Sequence, residues 1–129
     1  DFLIVGEARS GEALEALFSA MTTGHSGAST FHAESPRDTV ERVITEMGMH
    51  SQARPAEIQR TFASAIDLHV QIGIRYDKRR VISIMNVAKE LKDGKVFFEP
   101  IWKYDEASPV DAPDWKKVGR LRNHDNEQE

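Results

Sequence analysis

The chain has 129 residues, with 17 Lys+Arg against 21 Asp+Glu and no cysteine. No disulfide framework or thiolate metal site is open to it, and a formal charge of −4 lacks the basic face that non-specific nucleic-acid binding needs. At 40% hydrophobic and 29% charged residues the composition is globular and sized for one ordinary domain. The longest apolar run, Phe2–Val5, falls far short of the roughly 20 residues of a membrane helix. No signal-peptide pattern opens the chain, and the absence of cysteine fits a reducing cytoplasm. The sequence starts without methionine directly in an apolar run, as a piece of a longer protein would.

Phe2–Val5, closed by Gly6, has the continuous apolar pattern of a strand buried on both faces in a parallel sheet. Ser10 can cap a following helix. Leu14, Leu17, Phe18 and Met21 make its i, i+3, i+4, i+7 stripe, and Gly24 stops it. Residues 28–33 read as a second short strand, which completes a parallel βαβ unit of right-handed sense. Ser35-Pro36-Arg37-Asp38 is a helix start, with a serine cap, proline at the first position and a carboxylate three residues after the cap. Val40, Val43, Ile44 and Met47 are its apolar stripe, and Gly48 lies near its end. Pro55 opens a third helix with Ile58, Phe62, Ala65 and Ile66 as its inner face.

After Asp67 the period changes to two. Leu68, Val70, Ile72 and Ile74 alternate with His69, Gln71, Gly73 and Arg75, as in a half-exposed strand. Tyr76–Arg79 reads as a tight turn and Val81–Val87 as the returning strand. Lys92-Asp93-Gly94-Lys95 carries the Asp-Gly turn signal. Val96–Tyr104 would be the third strand of a small antiparallel meander, confined to an edge or a bulge by Pro100. Residues 105–129 are acidic and poor in large apolar groups. They read as a solvated, flexible tail, or as a short helix around Asp114–Arg122 docking through Trp115 and Leu121. The expected organisation is therefore 1–67, 68–104 and 105–129.

Two segments could carry chemistry. Glu7, in Gly6-Glu7-Ala8-Arg9, stands at the carboxyl end of the first strand, where open α/β sheets place their ligands. Thr23–Ala33 holds His25 and His32 around two glycines. At about 3.3 Å per residue an intervening strand sets the two rings on the order of 20 Å apart, so they should not share a metal ion. His32 falls on the same side as Glu7. No His-Glu-x-x-His, Cys-x-x-Cys or Gly-x-Ser-x-Gly spacing occurs.

On these residues the chain resembles a known family. Phe2–Arg9 is similar to the Walker B segment of the secretion and pilus-assembly ATPases of type II and type IV systems. Thr23–Ala33 resembles their histidine box, Ser35–Asp38 the start of the helix after it, and Ser64–Leu68 with Val70-Gln71 the handover to the terminal hairpins. The similarity covers roughly residues 1–90 and is strongest to the CpaF-type branch. It implies an α/β fold, a fragment of a RecA-like P-loop NTPase core followed by helices and the antiparallel meander. It further implies Glu7 as the catalytic acid that polarises water and supports the shell of Mg²⁺, and His32 as a sensor of the γ-phosphate. Arg9, His25 and Thr30 would be residues of the ATP site.

The same resemblance implies a hexamer, at the cytoplasmic face of the inner membrane, working on platform and secretion proteins without direct contact to nucleic acid. The chain itself contains no Gly-x-x-x-x-Gly-Lys-Ser/Thr phosphate loop; its one Gly-Lys pair, Gly94-Lys95, is followed by Val96. It is therefore expected to be inactive alone and to hold no ATP or Mg²⁺ tightly. The alternative is a non-catalytic interaction or assembly module. In either case the apolar first strand, left with an unpaired edge, is expected to drive self-association.

Overall fold

The structure is a computed structural model and describes residues 2–122. It is mixed α/β, with a two-stranded parallel sheet and a four-stranded antiparallel sheet. The elements run β1 (Phe2–Val5), α1 (Gly11–Thr22), β2 (Ser26–Ser29), α2 (Pro36–His50), α3 (Pro55–Ala65), β3 (Leu68–Arg75), β4 (Lys78–Val87), β5 (Phe98–Tyr104) and β6 (Trp115–Lys117). They fall into two compact units. One joins the residues up to Asp67 with Val87–Phe97; the other joins Leu68–Asn86 with the chain from Phe98 onward.

In the first unit, local chemistry sets each helix. The Ser10 hydroxyl accepts from Ala13 N–H at 3.1 Å and begins α1, and the Ser35 hydroxyl accepts from Asp38 N–H at 3.0 Å and begins α2. Each bond satisfies one of the amides that a helix start leaves without an intrahelical partner. Pro36 and Pro55 occupy first-turn positions where no amide donor is lost. The apolar stripes of the three helices meet in one core of Leu14, Leu17, Phe18, Val40, Val43, Met47, Ile58 and Phe62, each at most 7% exposed. Gly11 lets α1 and α2 approach closely, because a Cβ there would sit 2.3 Å from the Glu46 carbonyl oxygen.

The sheet of this unit corrects two expectations. β1 pairs in parallel with β2 from Phe2↔Ser26 to Val5↔Ser29, so the second strand lies two residues earlier than 28 and ends at Ser29. A four-residue partner supports only a four-residue ladder. The faces of β1 are not buried: Phe2, Leu3 and Ile4 are exposed. An apolar run states what surroundings a strand suits, and no layer of described residues covers this one. At the end of the unit the Lys92–Lys95 turn closes as the Asp-Gly signal requires. Asp93 and Gly94 have positive φ, and Lys92 and Lys95 exchange backbone hydrogen bonds at 2.8 and 3.0 Å.

The second unit is a sheet ordered β3-β4-β5-β6. Tyr76 and Asp77, at φ 54° and 61°, form a two-residue turn from which β4 starts at Lys78. Positive φ at both central residues is what a tight hairpin needs to match strand twist. Pro100 lies in an interior strand, β5, rather than at an edge. β6 pairs only with Trp102–Tyr104, so the missing amide of Pro100 leaves that ladder intact. β6 itself replaces the expected tail or docked helix. Trp115 does dock, donating Nε1–H to the Val81 carbonyl at 2.7 Å and meeting Tyr104 edge-on at 6.0 Å, but from an extended backbone. Leu121 remains exposed. Residues 123–129 of the expected tail lie outside the described residues.

The alternation of β3 is present, with the aliphatic set outward. Leu68, Val70, Ile72 and Ile74 are exposed, while His69, Gln71, Gly73 and Arg75 are the less accessible set. His69 packs edge-on against Phe98 at 5.5 Å, and this burial lowers its pKa. Arg75 lies over the Tyr104 ring and pairs with Glu106, which holds that carboxyl below its usual range. Among the described residues no helix is long and apolar enough to cross a membrane.

Candidate functional site

The parallel pairing of β1 and β2 brings their two following loops side by side. One is Gly6-Glu7-Ala8-Arg9, leading into α1; the other is Thr30-Phe31-His32-Ala33, leading to the cap of α2. Backbone groups tie them together. Ala8 N–H donates to the Thr30 carbonyl at 3.1 Å, and the Thr30 hydroxyl donates to the Gly6 carbonyl. Ala8 is 1% exposed, so the residue between Glu7 and Arg9 anchors the loop.

Three side chains converge on this frame. Glu7 Oε2 pairs with Arg9 Nε at 2.8 Å, and Glu7 Oε1 lies 2.9 Å from His32 Nε2. Oε1 is buried and takes no hydrogen bond of good alignment, so the imidazole touches it without satisfying it. The hydrogen bond from Arg9 holds the Glu7 carboxyl below its ordinary range, and the charges of Arg9 and His32 act in the same direction against desolvation. Arg9 is raised in turn. A carboxyl whose folded pKa is lowered contributes stability above its unfolded pKa and loses it as pH falls through the folded one. Arg9→Gln should therefore raise the Glu7 midpoint toward the ordinary value, measured by side-chain carboxyl NMR. An unmoved midpoint would show that Arg9 does not set the charge state of Glu7.

A cleft of about 420 Å³ opens here, lined by Glu7, Arg9, Phe31 and His32 from the loops and by Arg42, Thr45 and Glu46 from α2. That volume suits a small ligand. Arg42 is a residue that sequence reasoning missed. Its Nε pairs with Asp38 Oδ2 at 3.0 Å, one helical turn earlier. The Asp38 carboxylate also accepts from Glu34 N–H at 2.9 Å, the main cause of its lowered pKa. The signal was available: once Ser35 fixes the start of α2, residues 38, 42, 45 and 46 share one helix face, opposite the buried Val40, Val43 and Met47.

The structure thus brings Glu7, Arg9 and His32 together and uses Thr30 to tie their loops. His25 stands before β2, at the other end of that strand, where its N–H donates to the Ala20 carbonyl at 3.3 Å. It does not line the cleft. Among the described residues no group of three or more His, Cys, Asp or Glu could hold a metal ion. The donor set still fits Mg²⁺ in one way. That ion keeps several waters and needs only one or two carboxylates beside phosphate oxygens, and Glu7 offers a single carboxylate with one unsatisfied buried oxygen.

Residues 1–80 match the family described as type II/IV secretion system protein. An uncharacterized protein of Methanocaldococcus jannaschii is 52% identical over 46 residues. That stretch is 36% of this chain and 17% of the relative, so the chain spans well under two thirds of the relative's length. The family match takes in β1, β2, all three helices and the cleft residues on them, and on that extent the chain belongs to the type II/IV secretion system protein family.

Proposed function

We propose that this chain forms one wall of the nucleotide site in a RecA-like P-loop ATPase of the CpaF-type branch, a hexamer that works with platform proteins at the inner membrane. The phosphate-binding loop, absent from this sequence, would come from elsewhere in a longer protein. The observation that carries the reading is the Glu7 carboxylate at the carboxyl end of a parallel strand, with one buried oxygen unsatisfied and Arg9, His32 and Arg42 around the same cleft. A cleft where two guanidinium groups and an imidazole stand beside the carboxylates of Glu7 and Glu46 can meet a polyanion and the water that attacks it.

Catalysis of phosphoryl transfer is mostly positioning and charge stabilisation, and each residue here has such a part. Glu7 is held ionised by Arg9, so it is a weak base. It would accept a hydrogen bond from the attacking water and orient it, taking the proton only as negative charge leaves the phosphoryl oxygens. His32, with its side chain 85% exposed and its Nε2 already at Glu7, would register whether a terminal phosphate is present. Mg²⁺, when bound, neutralises phosphate charge, and Glu7 would meet it through water.

Calorimetry tests the division of labour. The longer protein should bind Mg-ATP in the micromolar range, and residues 1–129 alone should not. Micromolar binding by residues 1–129, or none by the longer protein, would overturn the reading.

A further inference from the structure

β3 stands at the open edge of the antiparallel sheet and shows solvent the wrong face. Leu68, Val70, Ile72 and Ile74 are 45%, 50%, 60% and 65% exposed, and they project from the same side of eight consecutive residues. Proteins usually blunt an edge with lysine, proline, an inward charge or a bulge. β3 has no lysine or proline, and its one inward charge, Arg75, stands at its last position. The register does shift, between Gln71 and Ile72, but the extra residue, Ile82, is on β4, so the outer edge of β3 keeps its regular repeat. Among the described residues two side chains rest on that edge: Gln71, whose amide donates to the Ile72 carbonyl at 3.4 Å, and Arg75, whose guanidinium donates to the Ile74 carbonyl at 3.0 Å.

We propose that β3 pairs antiparallel with β3 of a second copy of this chain, about a two-fold axis at Gln71. This register places Leu68 opposite Ile74 and Val70 opposite Ile72 of the other copy. The exposed apolar side chains then form one unbroken stripe across an eight-stranded sheet, because antiparallel pairs directly opposite share a face.

Charge selects the direction. The hairpin 68–86 holds Arg75, Lys78, Arg79 and Arg80 against the single carboxylate of Asp77. Arg75 is paired with Glu106, whereas Lys78, Arg79 and Arg80 have no ion pair among the described residues. Parallel pairing would stack these cationic tips on each other; antiparallel pairing sends them to opposite ends of a strand about 27 Å long. An anionic bilayer would suit the basic tip, but hydrocarbon leaves unpaired edge amides and carbonyls unsatisfied, and a second strand satisfies them. One strand edge with four apolar side chains is small against the roughly 1,600 Å² of a standard interface, so the dimer should dissociate in the micromolar range.

The absence of native cysteine allows a test that does not depend on the ATPase reading. Sedimentation of residues 1–129 across micromolar concentrations should show a reversible monomer–dimer equilibrium. Ile72→Lys should weaken it by more than about thirtyfold, as expected of a central interface residue, while Ile4→Lys, on the other exposed strand, should leave it in place. Both sites are solvent-exposed, and near-UV circular dichroism would verify that each variant is folded. Under mild oxidation Gln71→Cys should cross-link two copies and Arg79→Cys should not. A strict monomer, a dimer indifferent to Ile72→Lys, or cross-linking at Arg79→Cys instead would overturn the proposal. So would flotation of the monomer on phosphatidylglycerol vesicles that Ile72→Lys abolishes.

Discussion

Glu7→Gln in the longer protein should lower steady-state ATP turnover by about 10²- to 10⁴-fold, the usual span for a positioned acid or base, while Mg-ATP binding persists. The amide keeps the shape of the side chain and its contact with Arg9, but it loses the charge and one acceptor. The argument rests on the unsatisfied Oε1, which is buried beside His32; an oxygen that only stabilised the loop would be expected to have a full hydrogen bond. Turnover within about tenfold of the parent would remove Glu7 from the reaction. Binding is the control that separates a lost catalytic group from a lost fold.

Phe62→Ala should destabilise the helical unit by about 3–5 kcal/mol. Phe62 is 3% exposed and meets Phe18 edge-on, with ring centroids 5.9 Å apart at 87°. Truncation leaves a cavity at the centre of three helices and also removes an aromatic pair worth about 0.5–1.5 kcal/mol beyond its buried area. Against the roughly 5–15 kcal/mol that holds an ordinary domain together, that loss is a large fraction. Urea unfolding followed by far-UV circular dichroism reads it directly. Phe62→Leu, which keeps most of the volume, should cost clearly less. A loss below about 1 kcal/mol for the alanine variant would mean that the core is not centred where the structure puts it.

These two residues also show what the sequence makes legible. Phe62 follows from helical spacing after Pro55, and Ser10 and Ser35 announce their helices because capping is local chemistry. Glu7 and His32 could be set on one side of the sheet from strand direction alone. Spacing from Ser35 puts Arg42 on one helix face with Thr45 and Glu46, but that this face lines the cleft depends on where α2 runs, a tertiary fact. Period two marks β3 as a strand without saying which of its faces is exposed. Periodicity separates two faces but is blind to which one a neighbour covers, and here His69 and Arg75 meet Phe98 and Tyr104 while the aliphatic set stays exposed among the described residues. β6 gave no signal, because Trp115-Lys116-Lys117 is too short to show a period and only its ladder to β5 makes it a strand.

The tie between the two loops has a consequence for timing. Thr30 holds Gly6 through its hydroxyl and Ala8 through its carbonyl, so the segments carrying Glu7 and His32 share a single opening event. The backbones that carry the two groups stay side by side while that link holds. If Glu7 and His32 act as proposed, part of the freedom they would lose at each turnover is surrendered once, when the chain folds.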